Sequence, residues 1–406
     1  MELLKNVIDF GTAKKLVLEN LKPVDRVEEI EISKAFSRVA AVDVPARIDV
    51  PPFDRAAMDG YALIAEDTVS AKAIEPVVLR KIGEVHAGDA AGFHVVPGTC
   101  VQIATGAVMP PGSDAVVMVE HTEMEGNLVK IYTPVRKGEN VTRAGEDIKR
   151  GQIVVHQGEV LTPGKIGALA AIGQATVKVY ERPRVAIIPT GNEIQRPGEP
   201  LREGRIYDVN TYTLAGLVEF AGALPVIYPV VPDEEAELKK SLARALENDV
   251  VVFAGGSSVG ERDLLAKVLE NGELLFHGIA VKPGKPTLCA KVNGKIVLGM
   301  PGYPTSCLTN AYALLLPAIG KLSRREIKLQ RMKARLGRRV ASTIGRLQFL
   351  PVRLENGVAV PAFKESGAIT SMSLAQGYIE IPENVEVVEK GEEVEVILFL
   401  AESLQY

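Results

Sequence analysis

The sequence predicts a multi-domain α/β plus β protein organised around a central, doubly wound, mostly parallel α/β domain. Between residues 184 and 320, continuous apolar strand-like runs alternate with helical patterns, as in parallel sheets that helices cover on both faces. Residues 46–139 and the segment after Arg331 instead show short Val- and Ile-rich runs separated by Gly, Pro and Asp, which is typical of β domains. The length of 406 residues favours roughly three domains.

Local patterns predict the elements of each part. Residues 1–20 carry apolar side chains at helical spacing, and a second helical pattern runs from Val24 to Val44. A short Ala-rich helix is expected to begin near Thr162 and Pro163, which have the residue types of a helix cap and a first turn. In the α/β part we expect strands at 184–189, 226–231 and 249–255, and helices at 210–221, 234–247 and 261–270.

Composition argues against several classes of protein. The net charge of −4 gives no overall basic field for nucleic acid, and the five histidines lack the spacing of a zinc site. The longest apolar run, near Ala311–Ile319, is too short to cross a bilayer and contains Pro317. Cys100, Cys289 and Cys307 form no paired framework, which indicates a reducing compartment. We therefore expect a cytoplasmic protein that binds neither nucleic acid nor membranes.

The segment from Pro51 to Leu63, PPFDRAAMDGYAL, places an aspartate on a rigid turn. The two prolines favour an extended or turn entry, and Gly60 can supply a positive φ after Asp59. An exposed carboxylate held in this way suits a hydrated cation or a polar ligand, but a solvated hairpin explains the segment equally simply. Thr105 and Asp147 lie in similar polar turns, and each is compatible with a structural role.

Glycine-rich polar loops follow the expected strands of the α/β part. Because parallel strands end at one edge of a sheet, we expect these loops to form one site. Glycines allow backbone amides to approach a phosphate or another oxyanion, and helix N-termini add partial positive charge. The loops are TGNE at 190–193, GGSSVGERD at 255–263, KPGKP at 282–286 and PGYPTS at 301–306. Together they predict a nucleotide- or phosphate-binding site.

Charged residues of both signs occur in or near these loops. Lys282 and Lys285 supply positive charge, whereas Glu193, Asp208 and Asp263 are acceptors suited to Mg²⁺. Alternatives remain for each residue taken alone. Asp208 could cap the helix after it, Asp263 could stabilise a first helical turn, and the lysines could lie in a solvated loop.

An ordered set of motifs spanning essentially the whole chain resembles the molybdopterin molybdenumtransferase family, which includes MoeA and the C-terminal domain of gephyrin. These motifs are PPFDRAAMDGYA, IATGAVMPPGSDAVV, RAGEDI, PTGNEI, IYDVN, GGSSVGERD, VKPGKP and GMPGYPTS. The resemblance implies an elongated homodimer with four domains per chain. These would be a linker and dimerisation domain (22–45 and 140–175), a β-rich domain (46–139), an α/β molybdopterin- and nucleotide-binding domain (1–21 and 176–325) and a small C-terminal β-barrel (326–406).

The resemblance also implies an activity. The family inserts molybdate, or tungstate, into adenylylated molybdopterin with Mg²⁺ present and releases AMP, and a molybdopterin adenylyltransferase is a partner to expect. The sequence argues against two rival functions. Adenylylation of molybdopterin needs only the α/β domain, so the additional β structure argues against it. A receptor-clustering scaffold like gephyrin would need a receptor-specific segment, and none is visible.

Residue roles are carried over by motif. Catalytic positions implied by the resemblance are Asp59, Asp147, Glu193, Asp208 and Asp263, of which the last three are also the implied metal ligands. Implied substrate-binding positions are Thr105, Gly255, Gly256, Ser258, Lys282, Lys285, Ser306, Arg346 and Ser366. Arg346 and Ser366 match a molybdate-binding pair. Tyr303 departs from the family pattern, because it stands where Asn is usual.

Overall fold

The computed structural model describes residues 7–255, 264–364 and 367–399. The chain forms two compact units, and each is treated by itself. The larger unit comprises Met1–Glu28, Ser37–Val39 and Val179–Tyr406, and the smaller unit comprises Glu29–Phe36 and Ala40–Lys178. The division into four domains stays a prediction.

The smaller unit is rich in β structure, as predicted. Its main sheet has six strands in the order Ala115–Met118, Gly60–Leu63, Thr99–Ile103, Val77–Val85, Leu128–Ile131 and Thr122–Glu125. Two further strand pairs join Val44–Pro45 to Ile153–Val155 and Arg55–Ala56 to Val141–Thr142. Apolar side chains such as those of Leu63 and Ile131 are completely buried between these elements.

One helix of the smaller unit is predicted correctly. It spans Pro163–Ala171, and the side chain of Thr162 accepts a hydrogen bond of 3.4 Å from the Lys165 amide. Proline at the first helical position does not disturb the helix, because that amide has no partner within the helix.

The helical pattern read from Val24 to Val44 is wrong. This segment contains a strand at Val27–Glu31, a single 3₁₀ turn at Ile32–Lys34 and a two-residue strand at Val44–Pro45. Exposed and half-buried residues alternate along Val27–Glu31, which is the two-residue period of a strand, with Glu29 and Glu31 on the exposed side. Ser37 has a φ of 64°, which is incompatible with a continuing right-handed helix.

The larger unit contains the predicted α/β sheet. Its six strands lie in the order Leu224–Ile227, Arg184–Pro189, Val250–Ala254, Lys295–Met300, Leu288–Val292 and Glu273–His277. The first four strands pair in parallel, and the last two join through antiparallel ladders. The sheet is therefore mostly parallel, as predicted.

Helices cover both faces of this sheet. Successive residues of a strand point to opposite faces, so Ile187 packs into one apolar cluster and Ile188 into the other. The first cluster includes Val17, Leu214 and Leu314, whereas the second includes Leu242. The helices are Phe10–Glu19, Asn210–Phe220, Glu235–Ala245, Leu264–Val268, Pro304–Asn310, Leu316–Leu322 and Thr370–Ser373, with a π-helical segment at Ala311–Leu315. The doubly wound arrangement is confirmed.

The C-terminal region forms a closed five-stranded barrel. Its strands are Leu347–Glu355, Val358–Pro361, Arg331–Leu336, Glu393–Leu398 and Gly377–Ile381, each paired with the next. The first strand also pairs with the last, from Gln348–Ile381 to Val352–Gly377, and this ladder closes the barrel. The predicted barrel is confirmed.

One short strand belongs to the barrel and not to the α/β sheet. The motif VKPGKP was expected to follow a strand of the parallel sheet, but Val281–Lys282 pairs in parallel with Leu347–Glu355. The chain leaves the α/β sheet after His277 and contacts the barrel before it returns at Leu288. None of the described helices is long and apolar enough to span a lipid bilayer.

Candidate functional site

A cavity opens at the carboxyl edge of the α/β sheet. The strand Arg184–Pro189 lies between the next strand in sequence, Leu224–Ile227, and the one after it, Val250–Ala254. The chain therefore reverses direction across the sheet beside Arg184–Pro189, and such a reversal leaves a crevice outside the strand ends. The cavity measures about 930 Å³ and is lined by residues 190–194, 206–210, 281–286 and 301–304, together with Ser306 and Arg346.

Seven of the predicted site residues line this cavity. They are Glu193, Asp208, Gly255, Lys282, Lys285, Ser306 and Arg346. Gly256, Ser258, Asp263 and Ser366 lie outside the described residues. Asp59, Thr105 and Asp147 belong to the smaller unit. Residues of the loops at 190–193, 282–286 and 301–306 thus line one cavity, and their roles stay a prediction.

Two glycines allow the first loops of the cavity to approach each other. Gly255 has a φ of 119°, and a Cβ atom there would lie 2.6 Å from the Thr190 carbonyl oxygen. Gly191 has a φ of 140°, and a Cβ atom there would lie 2.8 Å from Glu193 Oε2. Gly255 therefore has no room for a side chain, whereas at Gly191 only the flexible end of Glu193 lies close and the positive φ is what favours glycine.

Asp208 is held by the helix that follows it. The Thr211 amide donates a hydrogen bond of 3.1 Å to Asp208 Oδ1, and the aspartate is only 6% exposed. This is the contact expected of a residue that caps a helix. Oδ1 of Asp208 therefore has the capping role that the sequence left open as the alternative to binding Mg²⁺. The carboxylate still lines the cavity, as Glu193 does.

The loop at 282–286, the lysine loop, is held in place by Asn310. Asn310 Nδ2 donates hydrogen bonds to the Gly284 carbonyl oxygen (2.9 Å) and to Thr287 Oγ1 (2.7 Å). Thr287 Oγ1 in turn donates to the same Gly284 oxygen over 2.8 Å. Because Asn310 and Thr287 are fully buried, this network fixes the backbone between Lys282 and Lys285.

The barrel contributes the third cation of the cavity. The ladder that pairs Val281 with Leu347 and Lys282 with Gln348 aligns the start of the barrel strand with the lysine loop. Arg346 immediately precedes this strand and is half-buried. Lys282 Nζ also donates a hydrogen bond of 3.1 Å to Thr343 Oγ1. A positively charged wall thus forms where the lysine loop meets the barrel.

Ser306 lies in the first turn of the helix Pro304–Asn310 and is 3% exposed. Its neighbour Cys307 is completely buried, and burial together with the nearby Asp208 raises the pKa of this thiol. Cys307 therefore stays protonated at neutral pH and offers no thiolate nucleophile.

The donors for a divalent cation are few. The described residues contain no group of three or more His, Cys, Asp or Glu side chains arranged to hold a metal. Glu193, Asp208 and Asp233 all line the cavity. Mg²⁺ typically takes one or two protein carboxylates and completes its shell with phosphates and waters, so this donor set fits an ion that a phosphate-bearing ligand helps to hold.

In the smaller unit the structure joins two predicted residues. Asp59 Oδ1 accepts hydrogen bonds from the Thr105 amide (2.7 Å) and from Thr105 Oγ1 (2.9 Å). The backbone hydrogen bond, followed by the hydroxyl, holds the pKa of Asp59 below its usual value. Both residues are exposed, as is the side chain of Asp147. Asp59 is therefore an ionised carboxylate on an ordered turn.

Sequence reasoning did not identify the role of the other aspartate in this motif. Asp54 forms an ion pair of 2.6 Å with Arg143 and accepts a hydrogen bond of 2.8 Å from the Ala144 amide. The Ala144 amide contributes most to the lowered pKa of Asp54, against the opposing effect of burial. Asp54 thus ties PPFDRAAMDGYA to RAGEDI. The order of the motifs along the chain suggested that both belong to the site. It did not show that Asp54 is the aspartate that joins them.

Models of a known family match most of the chain. The MoeA N-terminal region (domains I and II) matches residues 8–173, a domain described as "Probable molybdopterin binding domain" matches 186–321, and the MoeA C-terminal region (domain IV) matches 333–399. A protein of Staphylococcus aureus named molybdopterin molybdenumtransferase is 31% identical over 91% of this chain and 90% of its own length. The chain belongs to the molybdopterin molybdenumtransferase family.

Other members of the molybdopterin molybdenumtransferase family support this assignment. The protein of that name from Haemophilus influenzae is 36% identical over 78% of both chains. The crystal structure of a molybdopterin biosynthesis MoeA protein from Pyrococcus horikosii superposes with a TM-score of 0.86 at 44% identity, covering 97% of this chain and 99% of that one. The family predicted from the motifs is confirmed, and the named relatives are transferases, the predicted enzyme class.

Proposed function

We propose that this enzyme inserts molybdate, or tungstate, into adenylylated molybdopterin in a Mg²⁺-dependent reaction that releases AMP. The observation that carries the proposal is one cavity, at the carboxyl edge of the sheet, that joins carboxylates to three cationic side chains. The cavity volume of about 930 Å³ lies within the range of pockets that enclose small organic ligands.

Lys282, Lys285 and Arg346 are the groups proposed to bind the oxyanion. Molybdate carries two negative charges, so it needs several cationic or hydrogen-bonding groups around it. Arginine can donate two parallel hydrogen bonds to an oxyanion, whereas lysine acts as a compact charge. Ser306 adds a hydroxyl in the first turn of its helix, where the helix dipole also favours an anion.

Glu193 and Asp208 are the described carboxylates proposed to hold Mg²⁺, with Asp263 as a further predicted ligand outside the described residues. The bound ion would supply positive charge against the phosphate oxygens of the substrate. Without such charge, Glu193 and Asp208 would repel the phosphate.

The side chains of the cavity are proposed to act by positioning and by stabilising charge. The rigid lysine loop orients the oxyanion, and its ammonium groups balance negative charge that develops as AMP leaves. No covalent protein intermediate is proposed. The nearby Cys307 is buried and protonated, which agrees with this view.

Further parts of the proposal rest on the family resemblance. The enzyme would act in the cytoplasm as a homodimer, with a molybdopterin adenylyltransferase as the source of its substrate. Asp59, Thr105 and Asp147 would then contribute polar groups of the β-rich domain to the reaction. The hydrogen bonds from Thr105 support this role for Asp59, because they keep its carboxylate ionised and oriented.

A turnover experiment tests the reaction. Purified protein is incubated with adenylylated molybdopterin, Mg²⁺ and either molybdate, tungstate or no oxyanion, and both AMP and metal-loaded pterin are quantified. We expect AMP and loaded pterin to form in equal amounts only when an oxyanion and Mg²⁺ are present. AMP release at the same rate without either would contradict the proposal.

A further inference from the structure

Three aromatic residues are among the described residues that line the cavity. Tyr303 lines the cavity, and its side chain is 66% exposed. The other aromatic side chains among the described lining residues differ. Phe253 is completely buried, and Tyr207 is 40% exposed with its hydroxyl donating to the Glu199 carbonyl oxygen over 2.7 Å. Tyr303 therefore offers the largest accessible aromatic surface of this set.

The backbone on both sides of Tyr303 is fixed. Asn210 Nδ2 donates a hydrogen bond of 2.8 Å to the carbonyl oxygen of Gly302. Pro304 begins the next helix, and the Tyr303 carbonyl oxygen accepts the Cys307 amide over 2.9 Å. The backbone that carries the ring is therefore already ordered before a ligand binds, which lowers the entropic cost of binding.

A glycine lies near one edge of the ring. A Cβ atom at Gly367 would lie 3.6 Å from Tyr303 Cδ1, which is ordinary van der Waals contact. Gly367 therefore leaves space beside this edge of the ring, and Tyr303 is 66% exposed. An exposed aromatic face beside cationic groups matches sites where flat heteroaromatic rings stack and charged groups bind the attached phosphate.

We propose that Tyr303 is the stacking platform for a flat heteroaromatic ring of the substrate. This inference rests on the proposed function, because adenylylated molybdopterin carries two such rings, adenine and pterin. In this role Tyr303 is a binding and specificity-determining residue. It holds the ring while the lysine loop and Arg346 contact the anionic groups.

Ligand binding by variants tests the platform. The dissociation constants of AMP, 6-hydroxymethylpterin and ribose 5-phosphate are measured for wild type, Tyr303→Ala, Tyr303→Phe and Tyr303→Asn. Base stacking on an aromatic side chain contributes about 1–3 kcal/mol, so Tyr303→Ala should weaken at least one ring-bearing ligand roughly 5- to 150-fold. Tyr303→Phe should bind within about twofold of wild type, and Tyr303→Asn should resemble Tyr303→Ala. Ribose 5-phosphate, which has no heteroaromatic ring, should be unaffected.

The two ring-bearing probes show which ring stacks. Tyr212→Ala is the matched control, since Tyr212 is 48% exposed in the same unit but does not line the cavity. Equal affinity of wild type and Tyr303→Ala for both ring-bearing ligands would overturn the proposed stacking role. It would also be overturned if Tyr303→Ala weakened the binding of ribose 5-phosphate as much as that of the ring-bearing ligands. The turnover experiment separates the two proposals. If wild type turns over the substrate and Tyr303→Ala still binds both ring-bearing ligands normally, only the stacking role is refuted. If Tyr303→Ala loses affinity for a ring-bearing ligand but wild type shows no turnover, only the proposed reaction is refuted.

Discussion

Gly284 shows how one residue can set the shape of the anion site. Its φ of 100° favours glycine, and a Cβ atom there would lie 2.3 Å from Asn310 Nδ2. Asn310 is fully buried and cannot move without losing its bonds to Thr287 and to the Gly284 carbonyl oxygen. The glycine and the asparagine are therefore complementary, and together they hold both lysines at the cavity.

Gly284→Ala should distort the lysine loop. We expect this variant to bind molybdate at least about 10-fold more weakly and to lose about 1–3 kcal/mol of unfolding free energy because of backbone strain. Isothermal titration and urea unfolding measure the two effects. Gly216→Ala is the control, since its helical site has open space for a methyl group, and it should gain about 0.5–1 kcal/mol. Wild-type molybdate affinity in Gly284→Ala would contradict the role of the loop.

Arg346→Ala should weaken the dependence of turnover on molybdate more than it weakens pterin binding. The reason is that arginine binds an oxyanion through two parallel hydrogen bonds. The apparent KM for molybdate and the dissociation constant of 6-hydroxymethylpterin provide the comparison. Arg353→Ala, which removes an exposed barrel arginine paired with Glu355, is the control. A larger loss of pterin affinity than of molybdate dependence would show that Arg346 does not bind the oxyanion.

At the scale of elements, the α/β sheet was largely predictable and the barrel contacts were not. The continuous apolar run at 185–189 gives a strand that is covered on both faces, because Ile187 and Ile188 face different clusters. In contrast, the pairing of Val281–Lys282 with a barrel strand depends on backbone hydrogen bonds between distant segments. No local pattern encodes such a register. For the same reason the sequence left open that Asp54 and Asp59 have different partners.

An ion pair between half-exposed Arg26 and buried Asp249 lies at the N-terminal edge of the α/β sheet. Arg26 Nη1 and Nη2 donate to the two carboxylate oxygens of Asp249 over 2.9 and 2.8 Å, and the Arg184 amide donates to Oδ2 over 2.8 Å. Burial raises the pKa of Asp249, but the hydrogen bonds from Arg26 and Arg184 outweigh this effect. The net result is a pKa below the ordinary 3.8. The ionised carboxylate is therefore favoured by folding.

Asp249→Asn should lower stability and reduce its dependence on acid pH. A buried pair that loses one partner typically costs about 3–5 kcal/mol, and the loss should be near the lower end because Arg26 is half-exposed. A lowered folded pKa contributes stability above pH 3.8 that disappears as the pH falls through the folded pKa. When the free energy of unfolding is measured with urea between about pH 2 and 6, it should fall less steeply with decreasing pH (a shallower acid limb) for the variant than for wild type. Parallel acid limbs would contradict this assignment.

At the scale of the whole molecule, the thiols report on the packing of both units. Cys100 lies in the smaller unit, whereas Cys289 and Cys307 lie in the larger one, and all three are fully buried. Burial raises the pKa of Cys100 to about 12 and also raises the pKa of the other two. The sequence predicted unpaired cysteines. It could not show that each thiol is buried from solvent, because burial depends on how the folded core packs around it.

A thiol titration checks this packing. With a chromogenic disulfide at pH 8, native protein should react slowly at all three cysteines, because the thiols are buried and protonated. In denaturant the same reagent should detect three thiols per chain within minutes. Rapid reaction of one thiol in native protein would show that its unit opens readily, and mass spectrometry of the labelled peptide would identify which unit.

We propose that the cavity of the larger unit binds the oxyanion and the adenylate product together. The most direct test is a crystal structure with AMP, Mg²⁺ and tungstate, in which the anomalous signal locates the tungsten atom. We expect the anomalous peak within hydrogen-bonding reach of Lys282, Lys285 or Arg346, with the AMP phosphate in the same cavity. A tungsten peak and an AMP molecule bound at separate surfaces would contradict the account.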